Sequence, residues 1–230
     1  MLSPWRQRRK ATTVPEETLT GATLRTPKAA AAAGIIFSLL LITAFWLFRI
    51  SVPADPLEPG MWLKTNAGTV ALALNIVPFA GIAFLWFIGV LRDRLGRHED
   101  RFFATVFFGS GLLFLAMLFV ACAIVGAIIL AFAQQPKDLI ASPTFHLARA
   151  IAYAIVNIYM MKIAGVFIIT TSTVAIYTKF APRWIALVGY GLALFILLGS
   201  YYIDWSFVIF PLWVLLLSTY ILVDNLRHSR

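Results

Sequence analysis

The chain has 230 residues, 61% of them hydrophobic and 13% charged, and a formal net charge of +9. A soluble domain is nearer half apolar and a quarter charged and needs a polar surface, so this composition excludes an ordinary water-solvated globule. The apolar residues fall in blocks of membrane-spanning length, which predicts lipid as the solvent and an all-α polytopic transmembrane helix bundle of about six spans as the fold.

Residues 1–28 are polar, with Arg6, Arg8, Arg9, Lys10, Arg25 and Lys28 among Thr and Pro, and predict a disordered basic tail. The first apolar run, 29–49, imitates a signal peptide. It is longer than an h-region, lacks a convincing small-residue cleavage site and is followed by more spans, so an uncleaved first helix is expected. A loop rich in Pro, Gly and polar residues leads to a second span at 69–91, which contains Asn75 and Pro78. A proline is tolerated there because neighbouring helices can satisfy the freed carbonyl. The charged hairpin Arg92–Arg101 precedes a third span at 103–133, where Gly109, Ala116 and Ala123 recur every seventh position. That spacing places them on one face, open to close approach by another helix.

The fourth helix is over-long. Ser142-Pro143 is an N-cap followed by proline at the first helical position. No breaker then occurs before the Lys179–Pro182 segment. At ~1.5 Å per residue such a helix is ~54 Å long, against a ~30 Å hydrocarbon core. It must tilt, project, or break near Asn157 or Gly165, with the span proper at 150–178 and residues 143–156 on or in the membrane. The last two spans, 183–203 and 205–224, are separated by a tight turn around Asp204, and residues 225–230 form a short tail. Trp184, Tyr201, Tyr202 and Trp205 lie at their ends, as interfacial aromatics do.

Counting Lys and Arg near the span ends gives fourteen in one set of alternate compartments and four (Arg49, Lys64, Lys137, Arg149) in the other. The positive-inside rule then predicts both termini in the cytoplasm. It also makes the net charge topogenic. With no aromatic-basic module present, nucleic acid is not an expected partner.

Lys162 is the ionisable side chain well inside an apolar block, and no Asp or Glu lies within a span to pair with it. It is the candidate solute or lipid contact, joined by Asn157 and Asn75; snorkelling to the head groups is the alternative for it. Thr170, Thr171, Ser172 and Thr173 cover every side of a helix, which suits burial within a bundle. The single cysteine, Cys122, is expected as a small buried hydrophobe.

The hairpin Gly89-Val-Leu91-Arg-Asp93-Arg94-Leu-Gly96-Arg97 resembles the loop between the second and third helices of major facilitator transporters, G-x-L-x-D-R-x-G-R. The resemblance implies that Asp93, Arg94 and Arg97 lock neighbouring helices at the cytoplasmic face. The match covers nine residues, and that family normally has twelve spans. The longer stretch LRDRLGRHEDRFFATVFFGSG is similar to bacterial multi-span membrane proteins of no known activity, which implies a bacterial plasma membrane.

Enzymatic signatures are missing from the sequence. His98, His146 and His228 all lie at or beyond span ends, unsuited to haem ligation within a bundle. Ser110, in Gly109-Ser-Gly111, lacks the full nucleophile-elbow pattern and an intramembrane base. Paired carboxylates and metal-ligand spacings do not occur, so no cofactor is expected. The first reading is a non-enzymatic accessory or scaffold component of a membrane. Its partners would be the lipid bilayer, anionic lipid at the N-terminal tail, and another membrane protein or a second copy. The second is a carrier or channel for a small anionic or amphipathic solute using Lys162. The third is a lipid- or quinone-linked membrane enzyme.

Overall fold

The computed structural model describes residues 27–53, 55, 58, 60–95, 101–134, 139–199 and 205–227. Polarity is arranged for oil. Ile36, Leu39, Leu72, Phe79, Ile82, Leu130, Leu187 and Leu198 are exposed, while Ser38, Thr170, Thr171, Ser172 and Ser218 are buried. In water, such a surface would be an aggregation hazard; in hydrocarbon, it is solvated and the hydroxyls belong inside.

The described residues are helical, with no strand among them. The helices are α1 (Pro27–Ser51), the single-turn α2 (Trp62–Thr65), α3 (Ala67–Leu95), α4 (Arg101–Gln134), α5 (Pro143–Ala154), α6 (Met161–Thr178), α7 (Arg183–Gly199) and α8 (Ile209–Arg227). The fold is an all-α bundle, and the chain is a multi-pass membrane protein. Five helical stretches are long and apolar enough to cross a bilayer: α1, α3, α4, the α5–α6 unit, and the last helix with its preceding turn. Helix α7 is apolar with 17 residues, or ~26 Å of rise, just short of the ~30 Å core. The sixth span expected at 183–203 reaches beyond it into residues outside those described.

Local sequence explains the helix boundaries. Ser142 is extended (φ −80°, ψ 144°) and its hydroxyl accepts from Phe145 N, with Pro143 at the first helical position. At the other end of the unit, Lys179 adopts φ 56°, the left-handed conformation that ends α6 before Pro182. Between them the helix does not break. It widens into a π-helical segment, Ile155–Met160, that contains Asn157.

Helix α1 packs along α3 and α8, α6 against α7, and α4 against α3, α5 and α6. At the centre stand Phe37, Phe84, Phe87, Phe107, Phe114, Phe167 and Phe210, all fully buried and contributed by α1, α3, α4, α6 and α8. Their ring centroids lie 4.3 Å apart for Phe114–Phe210, 4.5 Å for Phe37–Phe84 and 5.5 Å for Phe84–Phe167. This aromatic plug fills the middle of the bundle. A smaller apolar cluster (Trp62, Leu63, Val70, Val125, Ile128, Phe145, Ala152) lies towards the C-terminal end of α1.

Candidate functional site: a blind crevice under the α1–α3 connection

A cavity of about 160 Å³ opens at the end of the bundle where α1 finishes and α3 begins. An engineered cavity of about 150 Å³ in another protein is enough to take up benzene, so this one has room for a ring or a short length of alkyl chain. Its walls come from α1 (Ala44, Phe45, Phe48), α3 (Ala73, Leu74, Val77), α4 (Leu118 to Ile128) and the α5–π junction (Ala152, Val156). On α4 the lining runs from Leu118 to Ile128, ~15 Å of rise or about half the hydrocarbon thickness. It stops one to two turns short of Phe84 and Phe114, so the crevice ends blindly above the aromatic plug.

Polar groups gather at its mouth. Arg49 lies with its guanidinium 5.7 Å from the Trp205 ring centroid. Trp62, only 4% exposed, also lines the cavity, and its indole N–H is buried with no hydrogen-bond partner. Tyr153 and Asn157 also line the cavity, four and eight residues along the helix from Arg149, with Asn157 Nδ2 donating to the Tyr153 carbonyl at 3.0 Å. A shallow depression that shares Arg49, Val52, Pro53 and Trp62 adjoins the opening. Among the described residues, no carboxylate lines the crevice.

Arg149 builds the rim. Its side chain is 6% exposed and reaches across to the α1–α3 connection, donating to the carbonyls of Asp55 (2.7 Å), Pro53 (3.4 Å) and Glu58. Asn66 adds a second tie by donating to the Ser51 carbonyl at 3.2 Å. The π-helical segment has a positional role as well. One extra residue per turn changes the facing of everything before it, so Ala152, Tyr153, Val156 and Asn157 line the crevice together. Single-turn π segments of this kind recur at functional sites.

Of the side chains singled out in the sequence, the structure places Asn157 in this crevice and separates it from the other two. Lys162 does not line it. Its Nζ donates to the carbonyl of Leu197, in the last turn of α7, where helical carbonyls have no intrahelical partner and favour a cation. Lys162→Met is therefore expected to loosen the α6–α7 pair by about 1–2 kcal/mol, seen as a lower unfolding midpoint, without changing ligand uptake.

Asn75 is exposed on the outer face of α3, its amide bonded to the Ala71 carbonyl at 2.8 Å. Asp93 and Arg94 lie in the last turn of α3, their side chains outside the description, and Arg97 falls outside the described residues. Thr170, Thr171 and Ser172 are buried and Thr173 is half-buried: Thr171 bonds back to the Phe167 carbonyl at 2.7 Å, and Thr173 meets the Tyr190 hydroxyl at 2.8 Å on α7. Cys122 stands in the crevice wall.

Comparison with known proteins gives no match to a family model, a curated protein or a solved structure. The likeness of residues 89–97 to major facilitator transporters therefore stays local, and function has to be argued from the crevice itself.

Sequence reasoning left Arg49, Trp62, Tyr153 and Arg149 out of the site. Arg49 and Arg149 read as topogenic charges, and Trp62 as part of a connecting loop. What would have drawn attention to them is an arginine with bulky aromatics close to the end of one span and a second arginine at the start of another.

Proposed function

We propose that this protein is a non-enzymatic membrane component that binds a small amphipathic molecule in the crevice. The observation that carries this reading is a half-bilayer-deep, mostly apolar cavity with its arginines at the mouth and an aromatic plug at its base. Ligand sites are concave and mostly apolar, with a few convergent polar groups, and this cavity has that character. The plug favours binding or presentation over conduction, because the crevice offers a solute no continuous path to the opposite end. Arg49 takes the place that the sequence gave to Lys162.

The compartment and the orientation belong to the same proposal. The lysine and arginine bias supports cytoplasmic termini, which puts the crevice mouth in the outer half of a bacterial plasma membrane. Arg6, Arg8, Arg9 and Lys10 would then meet anionic lipid on the inner surface. An accessory role beside another membrane protein or a second copy is favoured by α4, where Gly109, Ala116 and Ala123 are all exposed. Nothing lies within 4 Å of the space a Cβ would fill at Gly109, so this face is smooth and open to a second helix.

The test is occlusion. Ala121, 3% exposed, faces the cavity from α4, and Ala73 faces it from α3. Saturating the wild-type protein with a ten-carbon amphiphile at a hundred times its dissociation constant should stabilise it by about 2.7 kcal/mol. Ala121→Phe and Ala73→Leu, which fill the space from opposite walls, should fold and lose that increment. Equal stabilisation of both filled variants would place binding elsewhere.

A further inference from the structure

Resting on the proposed binding role, we infer that the crevice selects a neutral ring compound carrying a hydroxyl group, held within the wall by the Asn157 carboxamide with the Tyr153 hydroxyl beside it.

The need for a polar anchor follows from the solvent. An alkyl tail gains little by leaving lipid for an apolar crevice, because both are hydrocarbon. What lipid tails cannot offer is a hydrogen-bonding partner, and a polar group at that depth is costly until it finds one. A crevice in a membrane therefore chooses its occupant through the polar atoms within its walls.

Asn157 supplies such an atom. It lines the crevice eight residues, or ~12 Å of helix, further into the bundle than Arg149. Its Nδ2 donates to the Tyr153 carbonyl, while Oδ1 has no hydrogen-bond partner among the described residues. The orphaned polar atoms of Trp62, Ser172, Trp213 and Ser218 are sealed in the interior, but Oδ1 is not one of these. The Tyr153 hydroxyl, one turn earlier on the same wall, is likewise unbonded among the described residues and unsealed. An amide oxygen only accepts, so the occupant has to donate to it; a phenolic hydroxyl does either. A ligand hydroxyl satisfies both, donating to Oδ1 and accepting from Tyr153.

Charge is not what this wall reads. Arg149 is committed to the Pro53, Asp55 and Glu58 carbonyls, and Arg49 lies with its guanidinium 5.7 Å from the Trp205 ring centroid. Both belong to the rim, and among the described residues no other charged side chain lines the cavity. An ion drawn down to Asn157 would lose its hydration without meeting a counter-charge. The volume of about 160 Å³ has room for one ring. Phe45, Phe48, Trp62, Tyr153 and Phe207 offer that ring aromatic edges and faces. A phenol with a short alkyl tail meets every requirement.

The experiment measures binding to the full-length protein in a neutral detergent by titration calorimetry, corrected for uptake of each compound by detergent alone. The probes are p-butylphenol, its methyl ether, butylbenzene and p-butylbenzoate. Each is titrated into the wild type, Asn157→Leu, Tyr153→Phe and Ala121→Phe.

The wild type should bind p-butylphenol about tenfold more tightly than Asn157→Leu does, the size of one hydrogen bond. For the methyl ether and butylbenzene, which cannot donate, the two proteins should agree within about twofold, which also shows that the variant keeps its crevice. Tyr153→Phe should weaken p-butylphenol about threefold and leave butylbenzene unchanged. The benzoate should bind the wild type about tenfold more weakly than the phenol. Ala121→Phe should bind none of them.

An affinity for p-butylphenol that survives Asn157→Leu but not Ala121→Phe would overturn the inference while leaving the crevice a binding site. Tighter binding of the benzoate than of the phenol would overturn the neutral class. Should Asn157→Leu fail to fold, the wild type decides alone: a methyl ether bound as tightly as the phenol overturns the inference. If no probe distinguishes the wild type from Ala121→Phe, the proposed binding role fails together with it.

Discussion

Replacing Arg149 with Met is expected to destabilise the protein by about 3 kcal/mol and to release the connection between α1 and α3 to protease. Arg149 is nearly fully buried, and its guanidinium gathers the Pro53, Asp55 and Glu58 carbonyls, more than ninety positions away in sequence. Methionine keeps much of the side-chain volume and removes every donor, leaving three carbonyls to find water at a site built to exclude it. The connection forms the rim of the crevice, so the same substitution should weaken amphiphile binding even where the helices remain assembled. Arg149→Lys, which keeps charge without the planar fork, should recover less than half of the loss. Thermal unfolding together with limited trypsin digestion measures both effects. An unchanged midpoint with an uncut connection would show that the guanidinium holds nothing.

The second large effect is expected at Gly34, where α1 crosses α3 and α8 at close range. A Cβ there would fall onto the Ser218 hydroxyl and come within 2.8 Å of Phe87 Cδ2 and 3.0 Å of Ser218 Cβ. Phe87 and Ser218 are both fully buried, so neither has open space to retreat into. The Gly34 carbonyl also accepts from Ser38 Oγ at 2.8 Å, which fixes this part of α1 further. Gly34→Ala should therefore cost about 1–3 kcal/mol, as overpacking typically does. Ser218 Oγ is buried with no partner, so Ser218→Ala alone should be neutral or slightly stabilising. Combined, the two substitutions should recover part of the loss, because the hydroxyl is what Gly34→Ala strikes first. Strict additivity of the two would contradict this close approach.

The all-α class was legible from composition and block length alone, because a chain solvated by lipid must close its backbone hydrogen bonds within helices. The start of α5 was legible too, since Ser142-Pro143 carries its own capping chemistry. The break that the length of this helix suggested near Asn157 or Gly165 does not occur; the helix runs on through a π-helical segment, Ile155–Met160. Which faces meet was not legible. In water, the apolar stripe of a helix marks its buried side, but here Phe79 faces outward and Phe84 inward on the same helix with equal hydrophobicity. Without that contrast no periodicity tells core from lipid, and a crevice assembled from residues between 44 and 207 cannot be foreseen. Lys162 drew attention because a charge in an apolar block is conspicuous. Its partner is a backbone carbonyl near the end of α7, and carbonyls leave no mark in a sequence.

Native mass spectrometry of the full-length protein, extracted from membranes in mild detergent, tests the central claim of an occupied crevice most directly. The wild type should carry one amphiphile per polypeptide through activation that strips peripheral lipid, and Ala121→Phe should arrive bare. Wild type and Ala121→Phe retaining the same lipids in the same amounts would contradict the account.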